Sequence, residues 1–271
     1  MDWSANPADK LRIDEVGLEY ACHGPAPGDA PTLVLLHEGL GCVAMWRDFP
    51  AQLAARTGLG VLVYSRQGYG GSDPVTRPRP LDFQTREALE VLPAILDAAG
   101  IRQAILLGHS DGATIAAIHA GSVAGHRIRG VILEAPHFFT EPGGLASITE
   151  ARAAYESGDL KQKLARYHAD PDGAFLGWND AWLDPGFATW NVAEVIDYIR
   201  VPILAIQGRQ DQYGTLAQIE EIESRAYCPV DTLILDCRHE PHRECADRVL
   251  DEVAEFCSRL LRIEAADVIP A

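Results

Sequence analysis

Along the chain, short runs of Val, Ile and Leu alternate with longer stretches in which apolar residues recur every three or four positions. The short runs are Thr32 to His37, Gly60 to Ser65, Ala104 to His109, Gly130 to Ala135, Pro202 to Gln207 and Thr232 to Asp236. Strands in a parallel sheet with helices on both faces read this way, because neither face meets water. Helical periodicity covers Asp48 to Arg56, Phe83 to Ala99, Asp111 to Val123, Thr215 to Ala226 and Arg243 to Arg262. The alternation predicts a doubly wound, mostly parallel α/β sheet. Ahead of it, Leu11 to Ile13 and Leu18 to Cys22, with Gly17 between them, predict an antiparallel hairpin at one edge.

The pattern breaks once. From about Thr140 to Ile196 no buried strand can be drawn; two helical patterns, a turn near Pro171 to Gly173 and the aromatics Phe175, Trp178, Trp182 and Trp190 stand there instead. Residues 140–196 are therefore expected to form a helical cap over the carboxyl ends of the strands, inserted in a core of residues 1–139 and 197–271. The alternative is a packing embellishment that never touches a ligand.

Composition narrows the class. A 47% hydrophobic and 23% charged chain is an ordinary globular one, neither disordered nor fibrous. Thirty-nine acidic against 23 basic residues give a net charge of −16, which repels phosphate backbones and anionic bilayers. The expected partner is a small-molecule substrate, with no nucleic acid and no membrane; a homodimer is left open. Met1 to Lys10 shows no secretory leader, and no apolar run reaches the roughly 18 residues of a membrane span, so a cytoplasmic location is expected. In that compartment Cys22, Cys42, Cys228, Cys237, Cys245 and Cys257 are expected as thiols.

The chemistry concentrates where strands end. Ala104 to His109 runs into Gly108-His109-Ser110-Asp111-Gly112 and then a helix rich in alanine. A strand that turns directly into a helix forces the middle serine into strained backbone angles and aims its hydroxyl outward, and flanking glycines make room for the turn. The free N–H groups of the new helix face any oxyanion formed there. Ser110 is thus the candidate nucleophile, and a serine hydroxyl needs a base that is itself oriented by an acid. His239 follows the last strand and Asp211 follows the one before it. His242 is the rival base and Glu134 the rival acid.

These features resemble the α/β-hydrolase superfamily, its serine-nucleophile branch with a helical cap, over about Thr32 to Leu260. The order Ser110, Asp211, His239 is the one that fold uses. His37-Glu38-Gly39 is similar to the family's His-Gly-x, and Arg66-Gln67-Gly68-Tyr69-Gly70-Gly71-Ser72-Asp73 to its Arg-x-Gly-x-Gly-x-Ser-Asp loop. By that resemblance the backbone N–H groups of Gly39 and Asp111 form the oxyanion hole, with Leu40 a substitute for Gly39. Three departures matter. A serine rather than an aspartate in the elbow speaks against the dehalogenase and epoxide hydrolase branches. Glu240 stands where the carbon–carbon hydrolases often carry tryptophan. Glu38 replaces the usual glycine, so its side chain must turn away to pair with Arg47 or Arg66, or bind a substrate group.

The expected activity is hydrolysis of a small or medium, largely apolar ester or lactone through an acyl-enzyme on Ser110. A carbon–carbon bond hydrolase of ring-opened aromatic acids is the alternative, with Arg47, Arg66, Arg152 or Arg166 receiving the carboxylate; a non-catalytic ligand receptor is a second. Pocket candidates are Glu38, His37, His137, Trp178, Trp182 and Trp190. The Asp111 carboxylate, in the first helical turn, is expected to be structural. No cofactor is expected, and no metal: His239, His242 and Cys245 are spaced like ligands but want a further one.

Overall fold

The strands are β1 (Lys10–Ile13), β2 (Val16–His23), β3 (Thr32–Leu36), β4 (Val61–Tyr64), β5 (Ala104–His109), β6 (Ile128–Glu134), β7 (Ile203–Gly208) and β8 (Val230–Leu235). They make one sheet in the order β1-β2-β4-β3-β5-β6-β7-β8. β1 and β2 are the predicted hairpin, β2 pairs antiparallel with β4, and every pair beyond is parallel. This is a computed structural model that describes residues 3, 10–28 and 30–267, so most of the stretch read for a leader lies outside the described residues.

Helices are α1 (Phe49–Thr57), α2 (Phe83–Arg86), α3 (Leu92–Ala98), α4 (Asp111–Ser122), α5 (Pro142–Ser157), α6 (Leu160–Leu164), α7 (Pro171–Trp182), α8 (Ala217–Arg225), α9 (Pro241–Glu244) and α10 (Ala246–Asp267). Side chains alternate across each strand. On one face Leu33 and Leu35 of β3 pack with Leu53 of α1 and Val249, Val253 and Phe256 of α10. On the other, Val34 and Leu36 pack with Leu92 and Ile95 of α3, Ile115 and Ile118 of α4 and Ile222 of α8. Burial on both faces explains the unbroken apolar runs, each such side chain being worth about 1.5–3 kcal/mol.

Two helices depart from the periodic reading. The stretch 83–98 carries a π turn at Glu87–Val91 between α2 and α3. Pro93, inside the run, has no N–H for the carbonyl four residues back, and a widened turn ahead of it accommodates that loss. The carboxyl-terminal helix starts at Ala246 rather than Arg243, because Cys245 leaves helical angles at φ −130°, ψ 42° and separates α9 from α10.

Between β6 and β7 stand three helices, α5, α6 and α7, and two 3₁₀ turns, Pro185–Thr189 and Ala193–Tyr198, where two helical patterns were expected. They have their own apolar cluster, Ile148, Tyr155, Leu164, Phe175, Trp178, Trp182 and Phe187. Polar ties bind this insertion to the sheet. His168 accepts from the Gly70 N–H at 2.9 Å through Nδ1, so its Nε2 is the nitrogen that donates to the Leu40 carbonyl, also at 2.9 Å. Among the described residues no helix is long and apolar enough to cross a membrane.

Candidate active site

β5 ends at His109 and α4 begins at Asp111, leaving Ser110 alone to make the turn at φ 55°, ψ −118°. That left-handed angle costs a non-glycine residue of order 1–3 kcal/mol, which the surrounding packing must hold in place. The two glycines show why the turn fits. A Cβ on Gly108 would sit 2.2 Å from the Gly112 carbonyl oxygen, and one on Gly112 would sit 2.0 Å from the Leu36 carbonyl oxygen. The Asp111 amide opens the first turn of α4, where no carbonyl of its own helix can take it. Gly39 lies across the cavity floor, so close to Trp178 that a Cβ there would be 2.2 Å from the indole Nε1.

After β7, Asp211 meets His239, which follows β8: Asp211 Oδ2 lies 2.7 Å from His239 Nδ1. Gln207 Nε2 donates to the same carboxylate oxygen at 2.8 Å, and the Tyr213 amide donates to Oδ1 at 2.8 Å. Burial would raise the Asp211 pKa, but the His239 hydrogen bond and charge and the Tyr213 amide hold it below the ordinary value. An ionised Asp211 requires the hydrogen on His239 Nδ1, which leaves Nε2 free to accept a proton. Ser110 and His239 line one cavity.

The rival pair is also present, but to each other. Glu134 accepts from the His242 amide at 2.7 Å and sits 2.8 Å from His242 Nδ1; both side chains are buried and outside the cavity lining, and the His242 ring packs against Trp46 and Phe49. His239, His242 and Cys245 do not converge either. His239 is taken by Asp211, His242 by Glu134, and Cys245 by the Cys237 thiol.

The cavity has a volume of about 530 Å³. Of the pocket candidates, Glu38, His137, Trp178 and Trp182 line it. His37 and Trp190 do not. His37 is fully buried at the foot of the loop that carries Glu38 and Gly39, its Nε2 accepting the Arg66 amide at 3.0 Å and its Nδ1 2.6 Å from the Glu38 carbonyl, a scaffold role. Trp190 stacks on Phe187 and meets Trp182 edge-on inside the insertion. Met45, Ile148, Leu160, Leu164 and Tyr213 complete the walls. Attention to aromatics passes over them, yet Leu145 and Ile148, and Leu160 and Leu164, keep the i,i+3 and i,i+4 spacing of one helix face.

Glu38 finds neither expected partner. Arg66 is fully buried, donates to the main-chain oxygens of His37 and Glu38 and faces the Asp111 carboxylate at 3.9 Å, and among the described residues no ion pair joins Arg47 to Glu38. The partner of the Glu38 carboxylate is His109, with 3.5 Å between Oε2 and Nδ1. The Asp111 side chain, buried, accepts from Gln84 Nε2 at 2.9 Å and Trp182 Nε1 at 3.2 Å, tying the insertion to the elbow. Arg47, Arg66, Arg152 and Arg166 stay out of the cavity; Arg152 pairs with Glu156 and Asp180, and the arginine that reaches the lining is Arg238.

Residues 33–252 match the model of the alpha/beta hydrolase family. No curated relative matches the chain. Among solved structures it is similar to the enol-lactonase from Burkholderia xenovorans LB400, at 22% identity and a TM-score of 0.70 over 91% of this chain and 98% of that one. It is similar to an esterase from Rhodococcus sp. ECU1013, at 20% identity and a TM-score of 0.67 over 93% and 98%. A carboxylesterase from Nitrososphaera gargenis gives 19% identity and a TM-score of 0.73 over 93% and 99%. The match spans the sheet from β3 through β8 and takes in the Ser110 elbow, Asp211 and His239, so the chain belongs to the alpha/beta hydrolase family.

Proposed function

We propose that the protein is a serine hydrolase that cleaves a small or medium, largely apolar carboxylic ester or lactone. Ser110 attacks the carbonyl carbon while His239 Nε2 takes its proton. Asp211 holds the imidazole by Nδ1 and stabilises the imidazolium. The Gly39 and Asp111 amides receive the oxyanion. His239 then returns the proton to the leaving oxygen, and water, activated by the same histidine, releases the acid. Residues 140–196 serve as the cap that supplies the apolar roof. The observation that carries this reading is the pairing of a left-handed serine at the start of a helix with a histidine already oriented by a buried carboxylate.

The substrate class follows from the walls. Met45, Leu145, Ile148, Leu160 and Leu164 favour an apolar acyl or alkyl chain, and the lining carries Glu38, Glu141, Glu240 and Glu244 against Arg238. That balance disfavours the anionic, ring-opened acids of the carbon–carbon hydrolases. An enol-lactonase and esterases among similar structures agree with the ester and lactone reading. The test is a panel of p-nitrophenyl esters of graded acyl length, simple lactones and a vinylogous dienoate ketoacid. Highest kcat/KM on a neutral ester or lactone is expected. Turnover of the ketoacid alone would move the assignment to carbon–carbon cleavage, and stoichiometric binding without turnover would make the protein a receptor.

A further inference from the structure

His109, directly ahead of the nucleophile, is completely buried, and its two ring nitrogens have different surroundings. Nε2 lies 2.7 Å from the His239 carbonyl oxygen; a carbonyl only accepts, so Nε2 carries a hydrogen. Nδ1 makes no hydrogen bond of good geometry and faces Glu38 Oε2 at 3.5 Å. Glu134 comes close as well: a side-chain nitrogen or oxygen from each of His109, Glu134 and His242 lies within 4.8 Å of the others. His242 takes Glu134 Oε1, and Oε2 is without a partner.

Among the described residues no lysine or arginine pairs with either carboxylate. Glu134 is fully buried and Glu38, its side chain 19% exposed, borders the cavity; with only neutral imidazoles beside them, their charge would have no compensating partner, which is unfavourable and most so for Glu134. A proton on His109 Nδ1 compensates Glu38 directly and faces the charge of Glu134.

We infer that His109 is a positioning residue held as the imidazolium, which neutralises Glu38 beside the oxyanion hole and clamps the His239 main chain through Nε2–H. Its effect on rate rests on the serine hydrolase reading above; its charge state does not. The other titratable groups near the ring are His137 after β6 and His239 and His242 after β8, with Asp211 behind His239; His37, at the end of β3, acts on the same Glu38. Burial lowers the pKa of His37 and His137, so neither adds a competing positive charge at neutral pH. Burial would lower the His109 pKa too, but the Glu38 carboxylate 3.5 Å from Nδ1 and the charge of Glu134 carry it up to about 9. The same contact with His109 outweighs burial at Glu38 and holds that carboxyl far below its ordinary range.

The arrangement answers why a glutamate is tolerated beside the oxyanion hole. Gly39 is the next residue, and an unopposed carboxylate there would work against the developing negative charge. Removing the imidazolium should therefore harm the transition state more than substrate binding.

Two measurements test this. In the wild-type protein, the ¹⁵N shifts of the assigned His109 ring are followed against pH. His109 is expected to stay charged above pH 8 or so, and E38Q should lower its titration by roughly one unit or more. On one activated ester, H109Q should lower kcat roughly ten- to a hundredfold at pH 7 with little change in KM, and E38Q/H109Q should recover most of the loss. Wild-type kcat should also fall along a limb near pH 9 that E38Q lacks. A His109 that is neutral at pH 7, a titration indifferent to E38Q, or additive losses in the double variant would overturn the inference. The titration in wild type and E38Q stands even where H109Q folds poorly. Should Ser110 not be the nucleophile, a fluorophosphonate would fail to label it while the His109 titration remained, so the two readings fail separately.

Discussion

The two acid–histidine pairs differ in what they face. In the first, His239 lines the cavity with Asp211 behind it, whereas in the second Glu134 is buried and His242 packs against Trp46 and Phe49, away from the lining. Substitutions should sort accordingly. His239→Ala should lower kcat nearly as far as Ser110→Ala, by on the order of 10⁵ to 10⁶, and Asp211→Asn should cost about 10⁴ by presenting the wrong tautomer. His242→Ala removes the partner of a buried carboxylate and should instead lower stability by about 3–5 kcal/mol, read in the denaturation midpoint, with kcat reduced tenfold or less. A larger kcat loss in Glu134→Gln than in Asp211→Asn would reverse the assignment of the acid. At this scale the sequence was legible for where Ser110, Asp211 and His239 stand, each at a strand end in a fixed order; the roles assigned to them belong to the proposal above. The partner of Glu38 was not legible from the nearby arginines: Arg66 looks available along the chain but is consumed by two main-chain oxygens, and His109 reveals its Nδ1 only once its Nε2 is seen on the His239 carbonyl.

Among the elements, the contact that joins the insertion to the elbow is Trp182 Nε1 to Asp111 Oδ1, and burial raises the Asp111 pKa despite nearby Arg66 and the hydrogen bond from Gln84. Trp182→Phe keeps the ring in the apolar cluster but removes the donor. It is expected to raise KM roughly three- to tenfold with a smaller effect on kcat, measured on the preferred ester, because it loosens α7, whose Trp178 and Trp182 line the cavity, and leaves Ser110 in place. An unchanged KM would mean that packing alone seats α7. The runs that become β3, β5 and β7 were readable because both of their faces are buried. The π turn at Glu87–Val91 and the break at Cys245 were not, since apolar periodicity continues across both. Two helical patterns and the lack of a buried strand marked residues 140–196 as helical, but α6, with five residues, is too short for periodicity to separate it from α5.

For the molecule as a whole, buried histidines shape stability against pH in opposite directions, His137 and His37 on the acid side and His109 on the alkaline side. Burial, with the His239 charge, lowers the His137 pKa to about 4, from 6.5. Between those values the unfolded chain binds the proton that the folded one excludes, so stability falls as pH falls through the window, by up to about 3 kcal/mol. His109, with a folded pKa of about 9, stabilises the fold below 6.5 and loses that contribution as pH rises through 9. Thermal midpoints between pH 4 and 10 should therefore fall away on both sides of a maximum near pH 6.5, and His137→Gln should flatten the acid side; a slope unchanged in that variant would assign it to other groups. The net charge of −16 gives no warning of either term, since both arise from where single imidazoles are buried.

The central claim is that Ser110 is the nucleophile, and active-site labelling tests it most directly. The protein is treated with a fluorophosphonate, its intact mass is measured, and the modified peptide is sequenced by mass spectrometry. One adduct per chain on Ser110, absent from a folded Ser110→Ala variant and accompanied by complete loss of ester hydrolysis, is the expected result. An adduct on another serine, or unmodified Ser110 in a fully inactivated enzyme, would contradict the account.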